Sequence, residues 1–236
     1  MVTTSETEAR GGGRAFAAAY LHRRYAILFY SLLLTIAVGP ALKAFRLETG
    51  LIEVLLAANV LVAVLPVGAG GARRILLGAL GIAVAEWVVA VWLQQPALSR
   101  LGLGLWAVVA MLATVGALRF GMRASVVDSE HLYAALSAYL LAGIFFGVVY
   151  FVLQRTWPGS LLIGSGIGTG EFSVVSGIYF SFVTLATLGY GDVVPQSEVA
   201  RGFAIAEAVA GQFYLAVMVA RLVSLYASEA ARRRPS

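Results

Sequence analysis

The sequence predicts an all-α membrane protein, with six transmembrane helices plus one re-entrant half-helix. Three observations predict it. The chain is 60% hydrophobic and only 12% charged over 236 residues, about half the ~25% charged share of a soluble domain. Six apolar runs have the length of roughly 20 residues that a spanning helix needs. A seventh apolar run is too short to cross and leads into a glycine-rich stretch, TLGYGD, at 187–192.

The elements follow in order. Residues 1–24 are polar, then basic, and read as a cytoplasmic tail. A cleaved signal peptide would place its charges first and a small-residue cleavage site after a short apolar core. The spans are expected at 25–42, 50–67, 75–93, 99–120, 131–153 and 200–226. Gly102, Gly104 and Gly116 soften the fourth. Ser125 with Asp128 three residues on resembles a capping box before span five. The loop 154–172 reads as a flexible outer turret. Its glycines at 164, 166, 168 and 170 lack the strand and helix that a phosphate-binding loop requires. The short run 173–186, SVVSGIYFSFVTLA, is the half-helix, with Ser173 its expected N-cap. The stretch 228–236 is a second cytoplasmic tail, and no appended nucleotide- or ion-binding domain is expected after it.

Basic residues set the orientation. With the N-terminus inside, Lys43, Arg46, Arg100, Arg155 and Arg201 lie outside and the other 12 of the 17 lie inside. Both termini then face the cytoplasm, and TLGYGD lies on the outer side of the cell membrane. The net charge of +5 is accounted for by span ends, so nucleic acid is not expected as a partner. There are no cysteines, which removes disulfides and thiol chemistry, and only two histidines, His22 and His131. No clustered catalytic groups or cofactor site are expected, and the chain reads as a non-enzyme.

Backbone that is not helical at membrane depth must be buried in protein or line a polar path. Two glycines within 187–191 prevent the half-helix from continuing. Gly189 and Gly191 are spaced by two, and glycine takes positive φ without a Cβ penalty. Alternate positive φ turns all the carbonyls of Thr187, Leu188, Gly189 and Tyr190 to one side, with the Thr187 hydroxyl below them. Four such columns around an axis make oxygen cages that replace the water shell of a monovalent cation.

This stretch resembles the signature of the potassium-channel superfamily. YFSFVTLATLGYGDVVP, 179–195, looks like the pore helix, filter and outer mouth of bacterial members with six spans and a single pore loop. Thr184 and Thr187 fall on the signature threonines, Gly189, Tyr190, Gly191 and Asp192 on GYGD, and Gly211 on the inner-helix glycine at which such channels bend. The resemblance covers about 130–227. It implies a homotetramer in the lipid bilayer whose selectivity filter holds K+ at Thr187, Leu188, Gly189, Tyr190 and Gly191, with K+ as permeant ion and no cofactor. It divides the chain into tail 1–24, a four-helix domain 25–123, a pore domain 124–227 and tail 228–236.

The sequence departs from the family at Leu188, where valine or isoleucine is commoner, and at Ala186 in place of threonine. At Val183 one bacterial subgroup has a glutamate, and at Phe180 many relatives have tryptophan. Tyr179 is then the candidate donor to Asp192. By alignment and three-to-four spacing, Gln212, Leu215, Val219 and Val223 face the cavity or inner constriction. Glu207 is expected to brace the back of the pore helix, and Glu86 to pair within the four-helix bundle, with Asn59 one option. The middle of span four carries no arginine, so strong voltage gating is not expected. A weakly selective monovalent cation channel, or the pore subunit of a potassium-uptake system, is the alternative.

Overall fold

The computed structural model describes residues 23–44, 108–120, 129–164 and 172–232, with isolated helical positions at 55, 58, 59, 78, 81, 82 and 85. The expected bodies of spans two and three with Glu86, the Ser125–Asp128 box and both extreme termini lie outside the described residues.

Among the described residues the chain forms α1 (Arg24–Ala44), α2 (Val108–Phe120), α3 (Ser129–Thr156), β1 (Leu161–Ile163), α4 (Val174–Leu185), β2 (Val193–Pro195) and α5 (Glu198–Arg232). α3 and the Glu198–Ser224 part of α5 are each long and apolar enough to cross a membrane. α4 is the short helix expected between them. Its 12 residues end where Gly189 and Gly191 deny helical continuation.

The first core joins α1, α2 and α3. Tyr25, Leu28 and Leu32 of α1 pack on Ala113 and Ala117 of α2 and on Ala134, Ala138, Leu141 and Ile144 of α3. The small residues on α2 and α3 let the larger α1 side chains seat between them. Its Arg24 end is tied down by ring contacts. The Arg24 guanidinium lies 5.0 Å from the Phe120 ring centroid, and Phe120 stacks on His131 at 4.6 Å. The Glu130 carboxylate accepts the Tyr25 N–H at 3.0 Å. Asn59 joins α1. Its Oδ1 accepts from Ser31 Oγ and its Nδ2 donates to Thr35 Oγ1, both at 2.6 Å.

The second core positions the site. Tyr150 and Leu153 of α3, Leu161 of β1, Phe180 of α4, Val193 of β2 and Ala200 of α5 bury one another. α3 and α4 cross backbone to backbone. A Cβ at Gly147 would stand 2.5 Å from the Ile178 Cα, and one at Gly177 would run into the Gly147 carbonyl. Only glycine at both positions allows this approach.

Over 154–164 the reading as a flexible turret needs correction. α3 runs on to Thr156, and β1 pairs antiparallel with β2 in the register Leu161↔Pro195, Leu162↔Val194 and Ile163↔Val193. Leu161 is buried under the ribbon, and that burial orders the segment. The all-helical architecture therefore carries one small two-stranded ribbon beyond α4, with 165–171 outside the described residues.

Candidate functional site

The site starts at the N-terminus of α4. Ser173 and Ser176 cap it reciprocally: Ser173 Oγ accepts the Ser176 N–H at 3.3 Å, and Ser176 Oγ accepts the Ser173 N–H at 3.4 Å. This is a capping box built from two serines, and it satisfies donors that a helix start leaves open.

The C-terminus of α4 passes directly into the glycine-rich stretch. Thr187 N–H donates to Thr184 O at 3.0 Å and Leu188 N–H to Val183 O at 2.9 Å. With Thr187 at φ 56° this is a Schellman motif. Such motifs place glycine at the left-handed position; here it is a threonine. Gly189 at φ 58° and Gly191 at φ 78° follow. Positive φ thus recurs at 187, 189 and 191, one step earlier than the glycines alone indicate. A left-handed threonine is disfavoured by roughly 1–2 kcal/mol, and the two Schellman bonds hold it there.

Within one chain this stretch stands open. Leu188 is 54% and Tyr190 65% exposed. Behind it the packing is tight, with Phe180, Val183 and Leu185 buried. Thr184 Oγ1 donates back to Phe180 O at 2.9 Å. Phe180 meets Tyr150 edge-on at 4.7 Å.

Asp192 closes the stretch and is fixed from three sides. Tyr179 Oη donates to its Oδ2 at 2.5 Å, the Val193 N–H donates to its Oδ1 at 3.0 Å, and the Gly164 N–H donates to its carbonyl at 2.7 Å. The last of these continues the β1–β2 ladder, so the ribbon grips the chain immediately after Gly191. No feature of the sequence had pointed to this grip, because a three-residue strand leaves almost no periodic signal.

Glu207 lies behind α4, fully buried. Its Oε2 accepts from Tyr150 Oη at 2.6 Å and its Oε1 from Ser181 Oγ at 2.5 Å. One carboxyl therefore joins α3, α4 and α5. Tyr150 and Ser181 were not singled out from the sequence, although each is a polar residue inside an apolar run. Four residues further along α5, Gly211 packs against Leu185, and Gln212 Nε2 donates to Leu185 O at 3.3 Å. Leu215, Val219 and Val223 continue down α5 and are exposed in the single chain, so contacts within one copy do not draw them into the site. The described residues contain no group of three or more His, Cys, Asp or Glu arranged to hold a metal ion.

The described geometry is thus a capped helix ending in alternating left-handed backbone, between two long apolar helices. The ion channel family matches residues 138–228, the stretch from mid-α3 to near the end of α5. Over these residues, about two fifths of its length, the chain resembles the ion channel family. The chain is similar to the voltage-gated potassium channel Kch of Escherichia coli, 38% identical over 72 residues, which is 30% of this chain and 17% of that one. It is also similar to the two-pore potassium channel 3 of Arabidopsis thaliana, 35% identical over 68 residues, 26% of this chain and 16% of the relative. The two pore potassium channel c of Oryza sativa subsp. japonica is 32% identical over 94 residues, 40% of this chain and 18% of the relative. The chain therefore spans less than a fifth of the length of these relatives. No solved structure matches it. The ion channel match falls on the stretch that holds the capped α4, residues 187–192 and most of α5.

Proposed function

We propose that the chain is the subunit of a potassium-selective channel. Four copies surround one axis, and the carbonyls of residues 187–191, with the Thr187 hydroxyl, form stacked cages for dehydrated K+. One observation carries the reading: positive φ at 187, 189 and 191, in a segment that a single copy leaves exposed. Alternating left-handed residues turn successive carbonyls to one side, and one column of oxygens makes no cage alone.

Tyr179, Thr184, Asp192 and Glu207 support the filter from behind and above, while Leu215, Val219 and Val223 line the inner path. The α4 C-terminus, the negative end of its helix dipole, favours a cation beneath the filter. The chain sits in the cell membrane with six spans and both termini in the cytoplasm, and it is not strongly voltage-gated.

The test is reconstitution into planar bilayers under opposed potassium and sodium gradients. The reversal potential is expected to follow potassium, at all voltages and with little voltage dependence of opening. A reversal potential that follows neither cation, or equal permeability to both, refutes potassium selectivity. Light scattering of the purified protein is expected to give four copies; a conducting monomer refutes the shared filter.

A further inference from the structure

A helix C-terminus leaves its last four carbonyls without intrahelical partners. In α4 these belong to Phe182, Val183, Thr184 and Leu185. The Ala186 N–H takes Phe182 O at 2.9 Å, the Leu188 N–H takes Val183 O, and the Thr187 N–H takes Thr184 O. The cap's own helical bond and the Schellman pair thus consume the first three. The fourth, Leu185 O, receives the Gln212 side-chain amide from α5 at 3.3 Å. The same residue is held a second time. A Cβ at Gly211 would stand 2.7 Å from the Leu185 Cδ2 and 3.5 Å from Leu185 O, so the leucine side chain seats on the glycine's bare Cα. Leu185 itself is 2% exposed. By contrast, Gly202, on the same helix, meets nothing within 4 Å of a built Cβ.

We infer that Gly211 and Gln212 form a seat for Leu185 that sets the height and angle of the filter's base, making both residues positioning residues for selectivity. The inference rests on the functional reading above and deepens it. Leu185 is two residues before Thr187, and the left-handed turn at Thr187 transmits any displacement of Leu185 to the first carbonyl of the column. Gly211 therefore has a packing reason to be glycine, independent of any bending of α5 at that point. Both contacts lie within one chain, so the seat is built before copies assemble.

The experiment measures the potassium-to-sodium permeability ratio in planar bilayers for the full chain and five variants: Gln212→Met, Gly211→Ala, Leu185→Ala, the double Gly211→Ala/Leu185→Ala, and Gly202→Ala as a control glycine. Gln212→Met keeps length and removes the donor; it is expected to lower the ratio about three- to tenfold, the effect of one hydrogen bond. Gly211→Ala is expected to lower it at least as far, and the double variant to return to the ratio of Leu185→Ala alone, because the shortened side chain vacates the clash. Gly202→Ala is expected to match the unmodified protein. A purely bending role for Gly211 would change open times, leave the ratio intact and gain nothing from Leu185→Ala; that result overturns the seat, as does an unchanged ratio in Gln212→Met. If Gly211→Ala fails to assemble, recovery of assembly in the double variant supports the seat and continued failure overturns it. An unmodified protein without potassium preference overturns the functional reading and the seat together, whereas a selective protein with unaffected variants overturns the seat alone.

Discussion

Replacing Glu207 by leucine removes the one carboxyl on which α3, α4 and α5 meet. The two hydroxyls that lose their acceptor respond differently. Ser181 sits within α4 and can turn its hydroxyl to a carbonyl one turn back, as Thr184 already does to Phe180 O. Tyr150 is fully buried and its ring is held edge-on by Phe180, which limits how far its Oη can move to a new acceptor. Its hydroxyl is left unpaired, at about 1–3 kcal/mol. Polar contacts between helices in a membrane average about 0.6 kcal/mol and reach about 1.7. Together these bound the loss for Glu207→Leu at about 2–5 kcal/mol. Glu207→Gln keeps shape and two polar atoms and is expected to lose about 1 kcal/mol. Detergent-induced unfolding, followed by tryptophan fluorescence, gives both values. A cycle with Tyr150→Phe isolates the pair, and a coupling of about 0.6–1.7 kcal/mol is expected. If Glu207→Leu costs under about 0.5 kcal/mol and the coupling vanishes, the junction does not hold these helices together and the reasoning fails.

Other consequences are open to measurement. Gly189→Ala places a side chain where φ is 58° and is expected to reduce potassium flux into liposomes more than about tenfold while leaving α3–α4 packing intact; undiminished flux refutes the alternating backbone. Tyr179→Phe removes the 2.5 Å bond above the filter and Asp192→Asn weakens it to a neutral acceptor, so both are expected to shorten single-channel open periods, and the double variant should do no more than Tyr179→Phe alone. Fully additive effects would show that the two residues act separately. Gly177→Ala drives a methyl into the Gly147 carbonyl and is expected to destabilise the fold by about 1–3 kcal/mol, read as a lower unfolding midpoint.

Much of the candidate site was legible because it obeys local rules. Ser173 as a cap, the end of α4 before two glycines and positive φ at Gly189 and Gly191 all depend on residues within one or two turns of each other. Tyr179 as donor to Asp192 followed from the aligned motif, and the bond is present. Thr187 escaped this logic. Nothing in a threonine signals a left-handed residue; the Schellman bonds from Thr187 and Leu188 impose it. The ribbon escaped for the opposite reason, since Leu161–Ile163 and Val193–Pro195 are too short to show alternation and exist through pairing across about thirty residues of chain.

What the sequence by itself determined is the apolar class, the long helices α3 and α5, the short α4 between them, and the family signature at 187–192. These are set by hydropathy, length and backbone preference, properties carried by residues adjacent in the chain. The tertiary structure alone decided which polar groups meet: Glu207 with Tyr150 and Ser181, Gln212 with Leu185 O, Gly164 with Asp192 O. Partners 26 to 57 residues apart are chosen by how helices cross. That crossing is set by glycines such as Gly147 and Gly177, whose absent side chains mark a contact only once the opposing backbone is in place.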